Sequence, residues 1–269
     1  MNNGEHGEHS DHVEKRQTGS INEKGFCVDL DKRGFTKYNC LSELISNSID
    51  AINRLYANDN LYKGKIVVRL VDNTLFIHDN GVGMASNDID TIVSLFGENH
   101  KNDHSHGISG LGLKVSTKCL SDNGVVKIYS ISTQHEKNVV EYPWNTISTE
   151  FKYTGNVTTY KMSEDIRNRF VHMHTRAGIT EHHGTIIEIP IKEKDEISNM
   201  LYKFFGEYSY NKKNFSNLFN STNKNPDYNK VQNLASIIYS ACYHISIQFK
   251  NENKKVEIKN TAQSSSSKL

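Results

Sequence analysis

The chain has 269 residues, enough to bury one large core and part of a second. Its 32 basic and 31 acidic side chains leave a formal net charge of +1, so no global field draws it to nucleic acid or an anionic membrane, although a local basic patch stays open. No apolar run approaches the ~18 residues that span a bilayer, and the polar, His-rich start lacks the apolar core of a secretory signal.

The four cysteines, Cys27, Cys40, Cys119 and Cys242, are far apart and form no CxxC pair. They read as reduced thiols of an intracellular protein, cytoplasmic or nuclear. The terminal Ser267-Lys268-Leu269 matches a peroxisomal address, but it follows a serine run and is read as coincidence. In chain order, 1–24 is expected to be disordered, and a helix fits 36–56. Strands fit 66–71 and 75–78 around the hairpin signal Asp72-Asn-Thr74. A helix over 87–96 stops at Gly97, the polar stretch 97–109 is a loop, and a helix resumes over 111–120. Strands follow over 125–132, 138–142, 156–162 and 185–191, then a helix over 196–205. The Asn-, Lys- and Ser-rich stretch 211–230 reads as a linker, 231–259 is ordered with a strand-like end, and 261–269 is a Ser-rich tail.

Three segments carry the chemistry. The first is Glu43-Leu-Ile-Ser-Asn47-Ser-Ile-Asp50-Ala51. On a helix, Glu43, Asn47, Asp50 and Arg54 fall within a stripe of roughly 60°, with Leu41, Leu44, Ile45, Ile52, Leu55 and Tyr56 opposite. A solvated amphipathic face would look similar. An acid, an amide and a second acid flanked by small Ser46, Ser48 and Ala51 differ, however, from the Lys/Glu mixture of an ordinary surface. An Asn47 carbonyl suits Mg²⁺, and Glu43 one turn earlier can polarise a water.

The second segment, Asp79-Asn-Gly81-Val-Gly83-Met84, ends a hydrophobic strand. Asp79 can accept a hydrogen bond from the exocyclic amine of adenine, the glycines allow close backbone approach, and Met84 can pack on the ring. A plain β-turn is the alternative. The third, Gly107-Ile-Ser-Gly110-Leu111-Gly112-Leu113-Lys114, enters a helix whose free N–H groups suit phosphates, with Lys114 adding charge. It lacks the P-loop ending and is a poor dinucleotide fingerprint; a glycine-punctuated loop is the alternative. The 97–109 loop then reads as a lid, and its His100, His104 and His106 as solvated side chains and not metal ligands. A fourth fragment, Gly184-Thr185, opens a strand where the Thr185 hydroxyl could reach adenine through water.

In this order and spacing, over residues 26–191, the segments resemble the GHKL ATPase superfamily of gyrase B subunits, ninety-kilodalton heat-shock chaperones, histidine kinases and MutL proteins. The first motif is closest to the chaperone version. Phe96-Gly97 and the Gly110–Lys114 run are more similar to microrchidia (MORC) ATPases. The resemblance implies a Bergerat fold, an α+β two-layer sandwich with helices on one side of a mostly antiparallel sheet and ATP beneath them.

It also implies Glu43 as general base and Asn47 as Mg²⁺ ligand, with Asp79 as adenine anchor. Asp50, Gly81, Gly83, Met84, Gly110, Leu111, Gly112, Leu113, Lys114 and Thr185 then complete an ATP site. The expected domains are an ATP-binding unit over 25–192 and an extension over 193–260, the start of a transducer domain or less. The expected activity is Mg-dependent ATP hydrolysis coupled to lid closure and pairing of two copies. A nucleotide-gated module needing a partner subunit is the alternative. Glu43, where histidine kinases usually carry Asn, argues against phosphotransfer.

Overall fold

The computed structural model describes residues 22–95, 111–211, 244–253 and 256–260. The expected loop and lid with its three histidines, Gly107, Gly110, Cys242, most of the 211–230 linker and the Ser-rich tail lie outside the described residues.

The elements run α1 (Glu23–Lys32), α2 (Lys37–Tyr56), β1 (Gly64–Val71), β2 (Thr74–Asp79), α3 (Ser86–Val93), α4 (Leu111–Leu120), β3 (Val125–Ile131) and β4 (Lys137–Pro143). They continue α5 (Trp144–Glu150), β5 (Thr158–Lys161), α6 (Glu164–Ala177), β6 (Gly184–Pro190), α7 (Lys194–Asn211), β7 (Ile245–Asn251) and β8 (Val256–Asn260).

The eight strands form one sheet in the order β5-β4-β3-β6-β2-β1-β7-β8. Every pairing is antiparallel except β1 with β7. The C-terminal hairpin β7–β8 thus extends the sheet that carries the motifs. Arg69, buried on β1, pairs with Glu252 just after β7 and ties this edge down.

Strand alternation sends one set of side chains to each face. Ile66, Val68 and Leu70 of β1, Leu75 and Ile77 of β2, Val126 and Ile128 of β3, and Ile187 and Ile189 of β6 share one core with α1, α2, α4 and α7. Helix α2 is the centre of that layer. Thr36 caps it by accepting from the Asn39 N–H at 3.2 Å, as the expected start requires. Its buried positions Cys40, Leu41, Leu44, Ile45, Ser48, Ile49 and Ile52 form two adjacent rows. Full burial of Leu41, Leu44, Ile45 and Ile52 contributes about 1.5–3 kcal/mol for each side chain. With one row set in the core, the Glu43–Asn47–Asp50 stripe must lie along its flank.

The opposite face is not bare, as a strictly one-sided layer of helices would leave it. Helix α6 packs there through Phe170 and Met173 onto Tyr129, Ile131, Val139 and Ile186, with Ala177 on Val67.

Candidate active site

The β1–β2 hairpin ends β2 at Asp79, directly beneath the middle of α2. Ser48 of α2 donates to Asp79 Oδ2 at 3.1 Å, and the Gly81 N–H donates to Oδ1 at 2.9 Å. Asp79 is only 4% exposed. Burial pushes its carboxyl up to about 6, against the pull of hydrogen bonds from Gly81, Ser48 and the Thr185 backbone. An ionised carboxylate offers about four lone-pair sites. Three are engaged here, so one more donor fits.

Asp79 lines a pocket of about 490 Å³ between α2, α3, the start of α4 and the sheet. Ile128 of β3 and Ile187 and Thr185 of β6 supply its floor. The register explains Thr185: it pairs with Asp79 across β2–β6 and with Ser130 across β3–β6. Met84 reaches the pocket because its N–H donates to Ser130 Oγ at 2.7 Å while its carbonyl accepts from Asn138 Nδ2 at 3.1 Å. Gly83 has φ +66, and a Cβ there would lie 2.1 Å from the Ile131 carbonyl oxygen, so only glycine lets this loop pass β3.

At the other end, Glu43, Asn47, Asp50 and Arg54 all line the pocket, as do Gly112 and Leu113 of α4. Gly112 and Glu43 touch: a Cβ on Gly112 would sit 2.0 Å from Glu43 Oε1. Desolvation, and then the nearby Asp50 charge, raise the Glu43 carboxyl above its ordinary range.

The structure therefore brings Glu43, Asn47, Asp50, Asp79, Gly83, Met84, Gly112, Leu113 and Thr185 to one cavity. Gly81 stands behind Asp79, bonded to it. Leu111 does not line the cavity, and Gly110 lies outside the described residues. Lys114, expected to add charge to the phosphate end, is not brought there. It is wholly buried, and desolvation pushes its ammonium down to about 8.

Three supports escape the sequence reading. Ser48 holds Asp79. Ser130, a lone small polar residue in the apolar run of β3, holds the Met84 loop. His183 places Nδ1 2.8 Å from the Gly81 carbonyl, and nothing in its sequence context marks it.

The donor set fits a magnesium nucleotide. Among the described residues no cluster of three or more His, Cys, Asp or Glu side chains is placed to cage a metal, whereas Asn47 opens into a cavity large enough to bring further oxygens. No helix of the described residues is long and apolar enough to cross a membrane.

A search of curated proteins finds no match to this sequence. The family described as histidine kinase-, DNA gyrase B- and HSP90-like ATPase matches residues 36–195, which span the whole pocket. With that match over more than half its length, and with the Bergerat-type sandwich beneath it, the chain belongs to the histidine kinase-, DNA gyrase B- and HSP90-like ATPase family, as a GHKL-type ATP-binding module.

Proposed function

We propose that the pocket binds Mg-ATP and hydrolyses it, with adenine at Asp79 and the triphosphate toward Glu43 and Asn47. One observation carries this reading. A buried carboxylate with room for one more donor and a partly desolvated glutamate open into the same cavity from one side of α2. Ser48 ties Asp79 to that helix, so Glu43 stands five residues, about 7.5 Å along the axis, from the base anchor. The exocyclic amine of adenine supplies the missing donor; guanine presents a carbonyl there, which the Asp79 carboxylate would repel.

Asn47 would hold the divalent ion through its side-chain oxygen. When bound, that ion would neutralise charge on the phosphates. Glu43 would accept a proton from a water as its oxygen bonds to the terminal phosphorus and ADP departs. Its raised proton affinity suits that base role near neutral pH. Asp50 contributes by keeping the Glu43 carboxyl raised. The reading includes pairing of two copies in the ATP state, as in chaperone- and MORC-like relatives.

A second reading, a nucleotide-gated module with little turnover of its own, has one observation in its favour. Among the described residues lining the pocket, Arg54 is the only Lys or Arg. A hydrolysing site would then take its γ-phosphate cation from outside these residues, a partner being one source.

Steady-state turnover of the full chain, alone and at increasing concentration, decides between them. Hydrolysis abolished by Glu43→Ala with ATP binding retained supports the first reading. Tight binding with no turnover at any concentration supports the second. Absence of ATP binding refutes both.

A further inference from the structure

Helix α3 forms one wall of the pocket through Asn87, Asp88, Thr91 and Ile92, and Met84 leads into it. The residue at its cap position is Ala85, which has no side-chain oxygen for the first-turn N–H groups. The acceptor comes instead from fifty residues away. Glu136, just before β4, accepts the Ser86 N–H at 3.0 Å and the Ser86 hydroxyl, both on Oε2. A carboxylate there also suits the positive end of the helix dipole. The other end of α3 is held by a donor: the Tyr142 hydroxyl of β4 donates to the Ile92 carbonyl at 2.8 Å. The wall helix is thus tied at both ends, by an acceptor where it has free donors and by a donor where it has free carbonyls.

Lys161, at the end of β5, joins this tie to the base-side loop. Its ammonium donates to Ser86 Oγ at 3.0 Å and to Asn138 Oδ1 at 2.7 Å, and it lies 3.4 Å from Glu136 Oε2. With its oxygen turned to Lys161, the Asn138 amide presents Nδ2 to the Met84 carbonyl at 3.1 Å. The turn between β3 and β4 holds the same loop two residues earlier, where the Thr133 N–H donates to the Val82 carbonyl at 2.9 Å. That turn is itself closed by two bonds. The Ser132 N–H donates to the Glu136 carbonyl at 2.9 Å, and the Glu136 N–H donates to Ser132 Oγ at 3.1 Å.

We propose that Glu136 and Lys161 are positioning residues for the base-side wall of the pocket. Glu136 tethers the first turn of α3, and Lys161 fixes the Asn138 amide that holds Met84. Neither lines the cavity, so each acts through other residues. The ligand in this proposal rests on the ATP reading above; the tether does not. The Lys161 side chain is 65% exposed, and an exposed ion pair adds little to folding stability. The network is therefore expected to show in binding more than in folding.

Hydrogen–deuterium exchange of the nucleotide-free full chain reads the tether directly. In Glu136→Ala the amides of residues 85–89 should exchange about tenfold faster, while those of β1 and β2 keep the wild-type rate. Titration calorimetry and turnover at saturating ATP read the consequence. Glu136→Ala should weaken ATP binding about five- to tenfold and leave saturating turnover within about twofold of wild type, because Glu43 and Asn47 stand on α2. Glu136→Gln keeps an acceptor for the Ser86 N–H and should recover most of the affinity. Lys161→Ala should shift exchange and affinity in the same direction, and its exposed position keeps the test open should Glu136→Ala fail to fold.

Unchanged exchange at residues 85–89 in the folded alanine variants would overturn the tether. Faster exchange with unchanged ATP affinity would overturn the positioning role. So would affinity, turnover and thermal stability falling together with no recovery in Glu136→Gln, the signature of a merely structural contact. A wild type that binds no ATP would defeat the ATP reading and the positioning role with it, while the tether is still judged by exchange alone.

Discussion

Replacing Asp79 with asparagine separates what this carboxylate does for folding from what it does for a ligand. An ordinary aspartate ionises near 3.8 and Asp79 at about 6. At about 1.4 kcal/mol per pH unit of difference, the ionised side chain costs the folded, nucleotide-free protein about 3 kcal/mol. The folded state binds this proton more tightly than the unfolded chain does. Stability therefore falls as pH rises from 3.8 to 6, and the whole penalty is present above 6.

Asparagine does not titrate, so it escapes the penalty. Its oxygen can still accept from the Gly81 N–H, and its amide can donate to Ser48 Oγ, leaving about 1 kcal/mol to be lost at the Thr185 contact. Urea unfolding without nucleotide should show Asp79→Asn more stable than wild type by about 2 kcal/mol at pH 7, with the gap closing toward pH 4. ATP affinity should move the other way, down by about 10–100-fold, because a charge-assisted acceptor is replaced by a group already committed to its neighbours. A variant less stable than wild type at pH 7, or a gap that does not change with pH, would refute the reasoning.

Other perturbations probe the remaining parts of the cavity. Glu43→Ala should retain ATP binding in a calorimetric titration and lose turnover by about 10²–10⁴-fold. Asp50→Asn removes a negative neighbour of Glu43, so the acid limb of the pH–rate profile should move to lower pH. Gly112→Ala drives a methyl group into the Glu43 carboxylate; because that group is the end of a flexible chain, thermal stability should hold while turnover falls at least tenfold, in line with a displaced base. Gly83→Ala meets a backbone carbonyl at φ +66 and should destabilise the fold by about 1–3 kcal/mol in urea titrations.

Much of the nucleotide-facing layer was legible because its signals are local. Thr36 as cap and the paired apolar rows of α2, and the Asp72-Asn73 turn between β1 and β2, each report a backbone event within a few residues. Three helices were not legible. α1 starts inside a polar segment whose only signals are Asn22 as cap and three buried residues, Phe26, Cys27 and Leu30. α5 is seven residues long and follows Pro143.

α6 had its cap, Ser163, and its stop, Gly178, in plain view. Its buried stripe, Phe170, Met173, His174 and Ala177, contains a histidine and an alanine, so the apolar periodicity is weak. At the site, the stripe of α2 follows from helical spacing alone. The support by Ser48, Ser130 and His183 depends on strand register and on which loops meet, which one-dimensional patterns do not encode. Lys114 follows the glycine-rich turn in sequence but is not among the residues that line the cavity.

The most direct test is a crystal structure of the full chain with magnesium and a non-hydrolysable ATP analogue. The account predicts the purine amine within about 3 Å of Asp79, the Asn47 side-chain oxygen on the metal and Glu43 facing the terminal phosphate. A nucleotide bound elsewhere, or a purine lying away from Asp79 in this cavity, would contradict it.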